Sequence, residues 1–424
     1  MKHFTFSFRF VVLSLLALSF AGCGINKSQS TKEGPRSEST RAGVRVSPQG
    51  KTATEPVIGA DGSGNLFVAY VERSGKSADL YLQKLDKGGA AVGERAMINP
   101  NPGEVKTWAG DPPTLAFGKE GTIFVGWTRS LTDPSAKGND LVLSVSVDGG
   151  RSFAAPLKIN DDEKPASHGM HSLTVDTNGR IIVAWLDERN IKADHTENMA
   201  SALFHHEDVE PNSEVFYSTS DDGGKTFTPN KKIASDVCPC CKTFLAAGDD
   251  GTVYMSWRQV LKGDYRHIAV ASTADGGKTF SNAVIVSDDQ WQLNACPISG
   301  AAIVSSGPQT LDVLWYTAGK AGAPGLYSAR STDGGKTFSP RKVVDSEAIA
   351  GSPTLLSTAD KVFAVFKQAD DKIVSTSANT STVFGPVSEQ ARGLAPSAIV
   401  ADGKLITAFI ENSNSRSEIW VVSE

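Results

Sequence analysis

The chain has 424 residues, with 42 lysines and arginines against 47 aspartates and glutamates, which gives a formal net charge of −5. This acidic balance excludes the strongly basic proteins that bind nucleic acid through its phosphates, so we expect no nucleic-acid partner. No apolar run of membrane length follows the first 22 residues, which excludes a membrane span in the rest of the chain.

The first 22 residues have the order of an export signal. Lys2 and Arg9 form a short basic region, and the apolar run over 10–21 is too short for a stable membrane span. The ending "SFAGC" resembles the lipobox of bacterial lipoproteins, which implies a lipid on Cys23; ordinary cleavage with an unmodified Cys23 is the alternative. By the same resemblance, Gly24 implies the outer membrane of the cell envelope, facing the periplasm or the cell surface.

Residues 23–43 are polar, rich in serine, threonine and lysine, and nearly free of apolar side chains. Such a segment cannot bury a core, so we expect a flexible tether between the lipid and a domain over 44–424. Without residues 1–22 the net charge becomes −7, because Lys2 and Arg9 are lost. The lipid is then the only predicted contact with a membrane, and we expect a monomer.

Four segments of nearly identical sequence recur in the chain. They read "SVDGGRSF", "SDDGGKTF", "TADGGKTF" and "STDGGKTF", and their key aspartates are Asp148, Asp222, Asp275 and Asp333. The pattern resembles the Asp-box, or BNR repeat, of sialidase-like β-propellers. In such a turn the carboxylate accepts backbone N–H groups and the glycines adopt positive φ, so we expect a structural role for all four aspartates.

Around these segments, short stretches of alternating apolar and small residues stand between turn residues, which indicates strands. Seven of them carry an aromatic residue near their end, as in "TIFVGW" and "RIIVAW". With the resemblance, they predict an all-β fold, a β-propeller of seven four-stranded blades. Only six outer strands follow the four boxes and two degenerate copies, around Asp86 and Asn379, so we expect "VRVS" over 44–47 to close the ring. A six-bladed sialidase fold is the alternative.

The segment "CPCC" brings Cys238, Cys240 and Cys241 together, and Cys296 leads into the next blade. An exported chain meets an oxidising compartment, so we expect disulfides: Cys240 or Cys241 with Cys296, and Cys238 with the remaining cysteine. The alternatives are thiolate ligands to zinc or cuprous copper, and free or redox-active thiols. The run C-x-C-C is not one of the zinc frameworks, which need a second pair of ligands at defined spacing, so we expect no metal and no cofactor.

Most irregular segments map to the face opposite the four boxes, where loops carry the side chains. The crossovers on that face contain three candidates for ligand binding: His168, His171 and Trp291. A long insertion over 189–214 adds His195, His205 and His206. No H-x-x-x-H helix accompanies these histidines, so we interpret them as polar surface residues rather than metal ligands.

Polar side chains follow several predicted inner strands and could form a cup on the same face. Arg129, Arg189 and Arg258 would pair there with an anion. The resemblance to sialidases implies three arginines, a tyrosine nucleophile with a glutamate, and an aspartate acid, for which the weak candidates are Asp187, Glu188 and Tyr316. The Arg-Ile-Pro motif of that family is absent. The alternative to a binding site is that these charged side chains are simply exposed to water at the rim.

These observations predict an envelope-anchored, sialidase-like propeller that binds a glycan or an envelope protein on the face opposite the boxes. The alternative is a glycoside hydrolase that resembles an exo-alpha-sialidase. The motifs that carry the resemblance are structural ones, so the sequence leaves open whether the chain is an enzyme.

Overall fold

A computed structural model of the chain describes residues 43–133, 135–191, 212–293, 295, 297–379, 383–413 and 416–424. The described chain is almost entirely β-strand, with one short 3-10 turn at Lys119–Gly121. None of the helices in this part of the chain is long and apolar enough to span a bilayer. Several predictions fall outside the described residues: the export signal, the lipidation at Cys23, the tether up to residue 42, Cys296, and the insertion histidines His195, His205 and His206.

Short antiparallel strands follow one another along the chain in groups of four. The strands are β1 (Val44–Arg45); β2 (Thr52–Ala60), β3 (Leu66–Ser74), β4 (Ser77–Leu85) and β5 (Ala91–Met97); β6 (Thr114–Phe117), β7 (Ile123–Ser130), β8 (Asn139–Ser146) and β9 (Leu157–Lys158); β10 (His168–Val175), β11 (Ile181–Asp187), β12 (Ser213–Ser220) and β13 (Lys231–Val237); β14 (Phe244–Ala247), β15 (Val253–Leu261), β16 (Tyr265–Thr273) and β17 (Val284–Ile285); β18 (Ala302–Gly307), β19 (Thr310–Thr317), β20 (Gly325–Ser331) and β21 (Lys342–Asp345); β22 (Thr354–Ser357), β23 (Lys361–Lys367), β24 (Lys372–Asn379) and β25 (Ser388–Arg392); and β26 (Leu394–Ala401), β27 (Lys404–Ser413) and β28 (Arg416–Ser423).

Each group forms a four-stranded sheet in which neighbours in sequence are neighbours in space. The groups β10–β13 and β14–β17 are joined into one eight-stranded sheet, because Val237 at the end of β13 pairs with Gln259 of β15. Among the described residues the strands thus form seven four-stranded units. This architecture confirms the all-β prediction.

The last unit is completed by the first strand of the chain. β1 lies beside β28 in antiparallel pairing, with Val44 opposite Val421 and Arg45 opposite Trp420. The pairing continues beyond β1, because the Val46 N–H donates to the Ile419 carbonyl at 2.8 Å. The predicted outer strand from the N-terminus is therefore in place, and it covers an edge that an open sheet would expose.

The second strand of each unit is buried on both faces, which explains its almost continuous apolar sequence. Four of these strands carry a tryptophan that is fully buried: Trp127, Trp185, Trp257 and Trp315. A buried indole N–H needs an acceptor, and each finds one within the fold. The acceptors are Ser144, Asp187, Gln259 and Asp289, at 2.7–3.0 Å.

The four near-identical segments fold into the same hydrogen-bonded turn. In the second, Oδ1 of Asp222 accepts the N–H groups of Lys225 and Thr226, both at 3.0 Å. The Ser220 hydroxyl donates to Asp222 at 2.8 Å and accepts the Gly224 N–H at 3.0 Å. The hydrogen bonds from Thr226 hold the pKa of Asp222 below its ordinary value. Asp148, Asp275 and Asp333 accept equivalent bonds, so these aspartates serve the turns.

We expect removal of residues 43–50 from the mature chain to lower its melting temperature sharply. The deletion removes β1 together with Val46 and Ser47, both buried against the last unit, and it exposes the edge of β28. Thermal unfolding followed by circular dichroism measures the effect. Removal of residues 24–41 is the control and should leave the melting temperature unchanged; equal tolerance of the two deletions would contradict the closure of the last unit by β1.

Candidate functional site

A cavity of about 290 Å³ lies where the first strands of all the units approach one another. Residues at the start of each unit line it: Pro56, Pro113, Ser172, Phe244, Ile298, Pro353 and Pro396. The predicted strand-end arginines are not among the described residues that line this cavity. The convergence of seven chain segments makes it the candidate functional site, because ligand sites are concave and form where elements meet.

The backbone at the rim of the cavity is locally distorted. Glu55, Ile298 and Ala395 line it and have φ of 51°, 46° and 48°, values that residues other than glycine rarely adopt. The register of β2 against β3 shifts between Thr54 and Val57, which marks a bulge beside Glu55. Bulges and positive φ cost about 1–3 kcal/mol each and cluster where a side chain must be re-aimed for function.

Lys242 brings a positive charge to the cavity. It follows the "CPCC" segment and precedes β14, and its side chain is 13% exposed. Its ammonium donates to the His171 carbonyl and lies 4.0 Å from Oδ1 of Asp111. Burial lowers the pKa of Lys242 to about 8, against the opposing effect of Asp111. The amine is therefore charged at neutral pH and loses its proton in mildly alkaline solution.

A carboxyl group, that of Glu55, also lines the cavity. It pairs with Arg73, whose Nη2 lies 2.9 Å from Oε2, and Arg73 also donates to the Thr107 carbonyl at 2.6 Å. Burial raises the pKa of Glu55, although the bonds from Thr54 and Arg73 act in the opposite direction. The residue is only 5% exposed, so its carboxyl is held in a fixed position.

The lysine is held in place by a buried pair of Asp111 and His171. Oδ1 of Asp111 accepts the His171 backbone N–H at 3.0 Å and lies 2.8 Å from Nδ1 of the ring. A carboxylate only accepts hydrogen bonds, so Nδ1 carries a proton. Burial alone would raise the pKa of Asp111, but the interactions with His171 and Lys242 hold it below its ordinary value. The negative charge of Asp111 therefore remains beside Lys242.

Two of the histidines predicted to lie on the polar surface, His168 and His171, are instead buried. His171 is 0% exposed and His168 is 1% exposed at the start of β10. Nδ1 of His168 lies 2.7 Å from the Asn139 carbonyl, and Nε2 lies 3.1 Å from Asp162. Burial lowers the pKa of His168, but Asp162 and Asp187 outweigh it and the net shift is upward. The surface interpretation of these two residues was wrong because strand β10 buries both rings, and one nitrogen of each lies beside a carboxylate, that of Asp162 for His168 and that of Asp111 for His171.

The three arginines expected to share an anion are each engaged by different groups of the protein. Nη2 of Arg129 lies 3.5 Å from Asp140. Arg189 forms a two-point contact with Asp187, reaches Asp161 at 2.7 Å and stacks on Phe216. Asp187 is fully buried and accepts from Trp185 as well, and the backbone N–H of its neighbour Glu188 donates to the Ser167 carbonyl. These contacts indicate that Arg189 and Asp187 stabilise the fold.

Arg258, Trp291 and Tyr316 do come together, but inside the protein. Arg258 is 0% exposed and Trp291 is 7% exposed. The guanidinium lies 4.9 Å from the centre of the Trp291 ring, and Trp291 meets Tyr316 edge to face at 5.9 Å. Trp291, a candidate for ligand binding, is therefore largely buried and contacts Arg258 and Tyr316. A buried guanidinium needs a partner, and the indole face supplies one.

The cysteines are partly oxidised. Cys240 forms a disulfide, whereas Cys238 and Cys241 are free and buried thiols. The other cysteine of the disulfide lies outside the described residues, as does Cys296. The expected bridge between Cys238 and its neighbour is not formed in this structure.

Comparison with solved structures identifies the fold. A protein of unknown function from Dyadobacter fermentans gives a TM-score of 0.53 at 16% identity, over 76% of this chain and 96% of that chain. The Hadza microbial sialidase Hz136 gives 0.52 at 18% identity, over 77% of this chain and 66% of that one. The polysaccharide lyase Uly1 gives 0.55 at 9% identity, over 87% and 89%. The fold is a sialidase-like β-propeller.

This likeness confirms the predicted fold class, and at such identities it shows the fold alone. No protein-family model and no curated protein sequence matches the chain. The four-stranded units are the blades of the propeller. The cavity then lies at the centre of the ring, where the innermost strands meet.

Sequence reasoning missed Glu55, Asp111 and Lys242, the charged groups at or beside the central cavity. Glu55 and Asp111 each precede a proline, in the segments "TEPV" and "GDPP", and Lys242 follows the cysteines in "CCKT". A proline or cysteine at the start of an innermost strand was the available signal. The predicted strand-end arginines are not among the described residues that line the cavity, because it is the starts of the innermost strands that meet there.

We expect Asp111→Ala to lower the free energy of unfolding by roughly 2–4 kcal/mol, because it leaves two buried N–H groups of His171 without an acceptor. Urea denaturation of the domain from residue 43 measures the change. Asp133→Ala is the matched control, since Asp133 is exposed and accepts only from its own loop. Equal stability of the two variants would show that the buried pair does not support the fold.

Proposed function

We propose that this propeller binds an acidic glycan, with one sugar unit in the central cavity and its carboxylate on Lys242. The single observation that carries the proposal is the place of Lys242 among the described residues that line the cavity, with its ammonium partly desolvated and faced by Asp111. A charge-assisted hydrogen bond to a carboxylate is stronger in such a site than in water. The Glu55 carboxyl offers acceptors for sugar hydroxyl groups.

The size of the cavity supports a small ligand group. Pockets for small molecules measure roughly 300–1,000 Å³, and the central cavity, at about 290 Å³, stands at the lower limit. Proline and aliphatic side chains form much of its wall. These surfaces suit the apolar face of a sugar ring, while the charged groups suit its polar edge.

Hydrolysis is the less favoured function. Glycoside hydrolases act through two carboxyl groups on either side of the scissile bond, and sialidases through a tyrosine nucleophile. Among the described residues that line the central cavity, Glu55 is the one carboxyl group, and no tyrosine or arginine is present. Arg129, Arg189 and Arg258 are occupied elsewhere, as is Tyr316. The described lining of this cavity therefore lacks the catalytic side chains that a glycoside hydrolase needs.

The proposed setting is the bacterial cell envelope. The export signal and the lipobox resemblance at Cys23 support a lipid anchor, followed by the polar tether over 23–43. A propeller on such a tether samples the space near the membrane surface, where acidic glycans or glycosylated envelope proteins are within reach. Radiolabelled palmitate incorporation that disappears with Cys23→Ala tests the anchor.

We expect Lys242→Met to weaken binding of an acidic oligosaccharide by roughly 1.5–3 kcal/mol, the usual contribution of a hydrogen bond to a charged group. A glycan array with acidic and neutral oligosaccharides selects the ligand, and calorimetry on the chain from residue 43 measures the affinity. Lys225→Met is the matched control, because Lys225 is exposed in an Asp-box turn away from the cavity. Equal affinity of both variants for the selected ligand would refute the cavity as its site.

Binding should also depend on pH with a defined sign. Since burial lowers the pKa of Lys242 to about 8, the ammonium loses its proton as the pH rises through 8, and affinity for a carboxylate should fall there. Lys242→Met should show weak binding without this decrease. Hydrolysis of fluorogenic glycosides, sialosides included, completes the test. Turnover that is abolished by Lys242→Met or Glu55→Gln would show that the cavity is a hydrolase site and would refute the binding function.

A further inference from the structure

The proposed glycan site does not use the buried cysteines between β13 and β14. Cys238 and Cys241 are free thiols, both 0% exposed, and their sulfur atoms lie 3.3 Å apart. The sulfur of Cys238 is also 3.8 Å from that of Cys240. Cys240 is already part of a disulfide. A thiol pair and a disulfide sulfur therefore lie side by side in one buried cluster.

Positive charge is concentrated next to this cluster. Arg258 is 0% exposed; among the described residues it donates to the carbonyl groups of Ser299 and Tyr316, and its Nη1 has no hydrogen-bond partner there. Arg266 is 4% exposed, and its side chain donates to the Leu293 carbonyl. Neither arginine forms an ion pair with a carboxylate in the described part of the chain. Buried charges without a counter-charge are costly, so an anion beside them is stabilised.

The anion that these arginines favour is the thiolate of Cys238. The hydrogen bond with Cys241 lowers the pKa of Cys238, and the charges of Arg266 and Arg258 act in the same direction against burial. Burial raises the pKa of Cys241 instead. The pair is thus divided into a nucleophilic thiolate and a thiol that retains its proton, the division needed for exchange with a disulfide.

We infer that Cys238, Cys240 and Cys241 form a thiol–disulfide exchange centre. In the first step the Cys238 thiolate attacks the Cys240 sulfur; a Cys238–Cys240 bond forms, and the former partner of Cys240 leaves as a thiolate and takes up a proton. In the second step Cys241 gives up its proton and attacks Cys238; the Cys238–Cys241 bond forms and Cys240 leaves as a thiol. Two electrons pass from the dithiol to the original disulfide, so no external oxidant is required.

The route to the outside runs through Cys240. Of the three cysteines it alone is among the described residues that line the central cavity, and it is 7% exposed against 0% for the other two. A small disulfide that enters the cavity can therefore reach the Cys240 thiol left by the second step; the disulfide of Cys240 with its former partner forms again, and the small disulfide leaves as two thiols.

A thiophilic metal is the competing occupant of the cluster. The three sulfur atoms lie within 4.8 Å of one another, a spacing that ligands to one ion also have. The sulfur of Cys240 is held in a disulfide, however, and only thiolates ligate such a metal strongly. The guanidinium groups of Arg258 and Arg266 also oppose a cation. Both observations favour exchange.

Disulfide mapping of the mature protein tests the exchange. The protein is equilibrated without oxygen in mixtures of reduced and oxidised dithiothreitol, quenched with acid, alkylated with N-ethylmaleimide and digested with trypsin. Cleavage after Lys232 and Lys242 leaves all three cysteines in one peptide, so a bridge inside it is read from the mass and placed by fragmentation. We expect molecules in which Cys238 and Cys241 are bridged while Cys240 is alkylated, in equilibrium with molecules that keep the original disulfide.

Two matched variants separate the steps. Cys241→Ser blocks the second step, so the Cys238–Cys240 bridge should accumulate; Cys238→Ser removes the nucleophile, and no bridge within the peptide should form. Retention of the original disulfide at every mixture, with Cys238 and Cys241 always alkylated in the unmutated protein, would overturn the inference without reliance on any variant. One equivalent of zinc or copper by mass spectrometry, with the thiols protected from alkylation, would overturn it in favour of a metal site.

Discussion

The hydrogen bonds between β1 and β28 are the constraint on which the rest of this structure depends. They join the two ends of the described chain in one sheet, so every blade has a neighbour on both sides. One apolar cluster shows the result, since it combines Val46 and Val68 from the start of the chain with Ile406 and Val421 from its end. A closed ring fixes the direction of all the innermost strands, because none can tilt without displacing the next.

Closure also creates the environment of the central cavity. Seven strand starts meet there, and bulges at Glu55 and Ala395 turn backbone and side chains toward the centre. Charged groups held in such a partly dry site interact more strongly than on the surface, since water screens them less. There are three such charged groups, and hydrogen bonds or ion pairs hold each of them in place. They are Lys242, Asp111 and Glu55. A rigid and polar centre in an otherwise apolar wall is what selective recognition of a sugar requires.

The segment over 238–242 links the two sites. Its cysteines lie in the core beside Arg258 and Arg266, while Lys242 at its end reaches the cavity. The hydrogen bond from the Cys238 N–H to the Arg258 carbonyl, at 2.9 Å, anchors the segment to β15. The arginines that the sequence offered as ligand-binding groups therefore act on the interior: Arg258 sets the electrostatic potential at the sulfur atoms, and Arg189 ties Asp187 to Asp161.

The sequence by itself determined the all-β fold, the repeated turns and the pairing of the N-terminal strand with the last blade. These features depend on local chemistry: the repeated segment of serine or threonine, aspartate, two glycines and a second serine or threonine closes the same turn at all four places, and alternation of apolar residues marks a strand regardless of its neighbours.

Only the tertiary structure decided which polar residues meet. The sequence pattern places His168, His171, Trp291 and Arg258 on crossovers or strand ends, yet all four side chains are buried, where groups from other parts of the chain contact them, as Asp111 contacts His171. Lys242 and Glu55 gain their importance from a cavity that exists only when seven strand starts converge. Distances between residues far apart in sequence are set by ring closure, and no local pattern contains them.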